Sequence, residues 1–85
     1  MWSTGMQLVR AADSIAANIA EAFGRDSTAD TRRLLFIARG SLFETEHWLA
    51  VSAARGLLEV SGLESKLSEV ARTLNGLIAR PGPRS

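Results

Sequence analysis

From Ser27 to Arg55 the chain meets no proline and a single glycine, Gly40, while its apolar residues point in too many directions for one narrow helical face. Leu35, Ala38, Leu42 and Leu49 share one seam, and Leu34, Phe36, Ile37, Phe43, Trp48 and Val51 extend the apolar surface around it. A helix apolar over most of its circumference needs neighbours on several sides. Either the rest of the chain supplies them or another chain does.

Glycine and proline mark where those neighbours begin and end. Gly24 opens a polar break running to Ser27, Gly56 and Gly62 bracket a second, and Pro81-Gly82-Pro83 close the ordered part. Helices are therefore predicted over about 4–23, 28–55 and 62–79, with 80–85 as a flexible tail, in one helical-bundle domain spanning 1–85. In the first, Leu8, Ala12, Ile15, Ile19 and Phe23 recur at steps of four and three, widened by Val9, Ala16 and Ala20. In the third, Leu63, Leu67, Val70, Leu74 and Leu77 form a heptad flanked by Ala71 and Ile78. Ser27-Thr28-Ala29-Asp30 and Ser61-Gly62-Leu63-Glu64 read as N-terminal caps. Short connections make successive helices antiparallel. The fold class expected is all-α, three antiparallel helices without strands, around Leu8, Ile15, Ile19, Leu35, Leu42, Leu49, Leu67, Leu74 and Leu77. Gly40 and Gly76 each cost a helix about 1 kcal/mol relative to Ala. Close approach of another helix, which a missing Cβ permits, is the expected compensation.

The chain has 85 residues, 46% of them apolar, and no cysteine. So short a chain buries only about 60 to 65% of the surface it exposes when unfolded, and here neither a disulfide nor a thiolate metal site can add stability. Self-association is the remaining source. Ten Lys and Arg against nine Asp and Glu give a net charge of +1, which does not by itself announce a nucleic-acid binder. No run approaches the roughly 18 to 20 apolar residues of a membrane span, and no basic-then-apolar leader opens the chain, so a cytoplasmic protein without membrane contact is expected. With no Cys, no Tyr and one His, catalysis is poorly supplied, and neither enzymatic activity nor a cofactor is expected.

Ser14, Asn18, Glu21 and Arg25 fall on one polar stripe of the first helix, which Arg39 and Glu44 are placed to meet from the second. The favoured reading of Asn18, Glu21, Arg25, Arg39 and Glu44 is a charge-assisted structural network that fixes helix register. Glu44-Thr45-Glu46-His47 has the Glu-x-x-His spacing of di-iron bundles, but such a site needs a second copy of that motif, and His47 reads better as a flank residue. Arg25, Arg32, Arg33, Arg72, Arg80 and Arg84 read as solvated charges on a monomer. Repeated around a ring, they would form a basic rim able to grip phosphate. Trp48 suits a core or subunit-contact anchor, and Trp2 a plug for a vacant groove or a disordered end.

Three stretches resemble a known family. Arg10-Ala11-Ala12-Asp13-Ser14-Ile15-Ala16-Ala17-Asn18-Ile19-Ala20-Glu21-Ala22-Phe23-Gly24-Arg25 is similar to the first signature of the four-helix-bundle proteins encoded by intervening sequences of bacterial large-subunit ribosomal RNA genes. Ile37-Ala38-Arg39-Gly40-Ser41-Leu42 with Glu44, Glu46 and Leu49 resembles the second signature, and Leu74-Asn75-Gly76-Leu77-Ile78 the closing one. Ala16 stands where the family has proline and Ala22 where it has glycine, changes that favour a continuous first helix. The resemblance implies the last three helices of an up-down four-helix bundle and a homo-oligomer, a pentamer. Through the related accessory protein of diversity-generating retroelements, it also implies RNA, DNA or a reverse transcriptase as partners. It implies function only weakly. The family's long leading helix has no counterpart before Gln7. That points to a start upstream or to a three-helix remnant whose uncovered face is filled by another chain.

Overall fold

A computed structural model describes residues 3–56 and 61–80. The chain forms three helices, α1 (Thr4–Ala22), α2 (Thr28–Ala54) and α3 (Ser61–Ala79), and no strand among the described residues. Local chemistry sets the ends. Ser3 accepts a hydrogen bond from the Met6 N–H at 3.1 Å, and Ser27 accepts one from the Asp30 N–H at 3.0 Å, so each satisfies a donor that the first helical turn leaves free. At the other end of α1, Phe23 is the cap and the chain turns tightly through Gly24 and Arg25. The Thr31 hydroxyl donates to the Ala22 carbonyl at 3.2 Å, tying the first turn of α2 to the last of α1. α2 ends on Arg55 and then on Gly56 at φ 70°, a left-handed residue suited to stopping a helix.

The contacts between elements reverse the chain direction twice. Thr4 meets Arg55, Arg10 meets Glu44, and Ser14 meets Ser41, so α1 and α2 run in opposite senses. Arg39 meets Asn75, while Glu46 and Ala50 share a groove with Glu64 and Leu67, which reverses α3 on α2 in the same way. α2 is thus the central helix. No Cα of α1 comes within 8 Å of a Cα of α3.

Small residues let α1 and α2 approach: Ala11, Ala22 and Ala38 are fully buried, and Ala22 and Ala38 share one cluster with Ile15, Leu34 and Leu42. Leu74 and Ile78 bring α3 onto Leu35 and Leu42 in the same cluster. Of the expected core, Ile15, Leu35, Leu42, Leu49 and Leu74 are buried, whereas Leu8, Ile19, Leu67 and Leu77 are only half-buried. The shortfall lies entirely in α1 and α3, whose Cα atoms nowhere come within 8 Å of each other. Gly40 and Gly76 correct another expectation. A Cβ on either would meet nothing within 4 Å, so no helix of this chain exploits its absence.

Candidate functional site

Five residues expected to share one polar network are divided by the structure into separate contacts. Asn18 donates from Nδ2 to the Ser14 carbonyl at 2.8 Å and to Ser14 Oγ at 3.1 Å, and Ser14 Oγ lies 2.7 Å from Ser41 Oγ across the α1–α2 interface. Thr45 continues the path by donating to the Ser41 carbonyl at 2.7 Å. Among the described residues Glu21 and Arg25 pair only with each other, in solvent, at the end of α1. Glu44 is taken by Arg10 at 2.8 Å, and Arg10 also donates to Gln7. Arg39 turns toward α3, donating to Asn75 Oδ1 at 3.5 Å with its guanidinium 4.8 Å from the Phe36 ring centre.

Helix geometry explains the division. Residues five apart differ in direction by roughly 140°, so Arg39 and Glu44 cannot both face α1. Sequence reasoning missed Arg10, Ser41 and Asn75 as partners. Ser41 was open to notice as a hydroxyl among apolar neighbours, but its match with Ser14 depends on the register of two helices.

The Glu44-x-x-His47 pair gathers no metal site. Glu44 is held by Arg10, and exposed His47 meets Trp48 edge-on at 4.8 Å between ring centres. Among the described residues, no three His, Asp or Glu side chains converge. Trp48 is half-buried and lies outside the main cluster; its Nε1 and the buried Ser52 Oγ have no hydrogen-bond partner among the described residues. Trp2 and Arg84 lie outside the described residues. Arg25, Arg32, Arg33, Arg72 and Arg80 are all exposed. Arg25, Arg32, Arg33 and Arg80 gather toward the end where Ala22, Leu34 and Ile78 pack together. Arg25 is paired with Glu21 and Arg33 with Asp30, while Arg32 and Arg80 have no carboxylate partner among the described residues.

The most extensive feature is apolar. Ile19 of α1 and Leu67, Val70, Ala71 and Leu77 of α3 pack against the core while staying half-open to solvent. Val9 is 60% exposed and Phe23 66%, and with exposed Ala12, Ala16 and Ala20 they form an exposed apolar side along α1 and its cap. Phe36, Ile37 and Phe43 are exposed on α2. No described helix is long and apolar enough to cross a membrane. No curated protein and no solved structure matches the chain significantly. The model of the 23S rRNA-intervening sequence protein family matches residues 2–76, nearly the whole chain, and the protein belongs to that family.

Proposed function

We propose that this protein is a non-enzymatic helical scaffold or adaptor of the cytoplasm that works by assembling with copies of itself. The observation that carries the reading is the open side between α1 and α3, where Ile19, Leu67, Val70 and Leu77 stay half-exposed on a core that no further helix of the described chain covers. Burial of an apolar side chain is worth about 1.5–3 kcal/mol, so leaving several partly wetted is costly for a chain of this size. A neighbouring copy offers helices of matching character, and a closed ring such as a pentamer would cover this side in every subunit. Light scattering of the purified chain at micromolar concentration should give one discrete oligomer, and Val70→Glu or Leu77→Glu should shift it to smaller mass. A well-folded monomer would end the proposal.

A second reading, an accessory protein that binds RNA or DNA in a mobile element or ribosomal RNA intervening sequence, is favoured by the gathering of Arg25, Arg32, Arg33 and Arg80 toward one end, with Arg72 further along α3. In a ring these side chains would recur once per subunit. Such binding rests on phosphate contacts and must weaken steeply with salt. A mobility shift that is unchanged by Arg32→Glu and Arg80→Glu, or insensitive to ionic strength, would remove it.

A further inference from the structure

The back of α2, turned away from the core, carries Phe36, Gly40, Phe43 and His47 at steps of four, three and four, with Ile37 beside them, all exposed. Gly40 sits in the middle of this face with open space where a Cβ would be. A glycine there costs the isolated chain about 1 kcal/mol and gives it nothing in return. The other interior glycine, Gly76, stands at the same height along the molecule, because the preceding residues Arg39 and Asn75 bond across from α2 to α3, and it too faces open space.

Charge on this face is ordered about Gly40. Arg32 lies on its N-terminal side and Glu46 on its C-terminal side. Arg32 and Glu46 form no ion pair among the described residues. We propose that this face docks the same face of a second copy, the two α2 helices antiparallel and crossing at Arg39–Gly40. A two-fold axis at that level sets Arg32 against Glu46 of the second copy, whereas Arg33 and Glu44 are already paired within their own chain, with Asp30 and Arg10. It also brings Phe36 over Phe43 of the second copy, and the reciprocal pairs repeat each contact. Arg39, nearest the axis, is turned aside onto Phe36 and Asn75. A parallel pairing would oppose like charges along the whole length. A nucleic acid or an anionic membrane would meet the glutamates as well as the arginines, so the mirrored pattern fits a copy of itself and neither of those. Gly40 allows the backbones to approach between the two phenylalanines.

The proposal assumes self-association but uses a different face from the open side between α1 and α3. Sedimentation equilibrium on the whole chain tests it with Arg32→Glu, Glu46→Arg, the double variant, and an equal mixture of the two single variants. Each single reversal places like charges together twice per contact and should raise the dissociation constant about tenfold or more. The double variant and the mixture should both restore association. Gly40→Leu, which has room in the monomer, should abolish this contact with helicity by circular dichroism retained. Association untouched by either reversal, or weakened without rescue in the mixture, overturns the proposal. Oligomers sensitive to Val70→Glu yet indifferent to these changes would overturn it alone, whereas a monomeric parent chain would remove it together with the scaffold reading.

Discussion

Ser14 and Ser41 show what a single contact does in so small a protein. Two hydroxyls 2.7 Å apart, backed by Asn18, fix where α1 sits along α2, and they do so in a partly buried place where an orphaned partner is expensive. Ser41→Ala should therefore cost about 1–2 kcal/mol in chemical denaturation, and adding Ser14→Ala should cost little more, because the unsatisfied group has gone. Fully additive losses would show that the two serines act independently. Gly56 is a second residue with a conformational duty. At φ 70° an L side chain is strained, so Gly56→Ala should lower stability by about 1 kcal/mol, measured as a reduced urea midpoint at unchanged slope. Gly56 was legible in the sequence as a helix stop. The serine pair was not, because neither residue announces a partner 27 positions away.

Among the elements, α1 and α2 form the firm part of the molecule and α3 the loose one. The first pair is tied by Arg10–Glu44, Ser14–Ser41, Thr31–Ala22 and Arg55–Thr4, and its interface is sealed by alanines. Among the described residues α3 is joined to α2 by one long hydrogen bond, from Arg39 to Asn75, and by the burial of Leu74 and Ile78. Amide hydrogen exchange should therefore find α3 opening before the other two, and Leu74→Ala, at a site only 1% exposed, should cost about 2–3 kcal/mol and further loosen α3. Uniform protection across the three helices in the monomeric state would contradict this ordering. Helix existence and type were readable from the three-and-four spacing and from Ser27 and Gly56. The polar network was over-read, since a stripe drawn on one helix cannot tell which neighbour each residue will reach. Arg39 belongs to the α3 side of α2 and Glu44 to the α1 side, a distinction set by packing.

At the scale of the whole molecule, the spacing that makes three helices legible also leaves their apolar surface too large for three to hide. The radius of gyration is 14.3 Å, against about 11.9 Å for a compact chain of this length, and the extents of 48 × 27 × 13 Å describe a thin slab. A slab has high surface for its volume, and here α1 and α3 lie on either side of α2 without closing on each other. If copies cover the open side, folding and association are linked, and stability must depend on concentration. A hundredfold increase in protein then adds about 1.4 kcal/mol per chain to a dimer. At the usual sensitivity of domains this small, the melting midpoint should rise by about 5 °C or more between 1 and 100 micromolar. A midpoint that stays fixed across that range, with the transition still cooperative, would mean that the slab is stable alone. The exposed Val9, Phe23 and Phe43 would then need a reason other than a second copy of the chain.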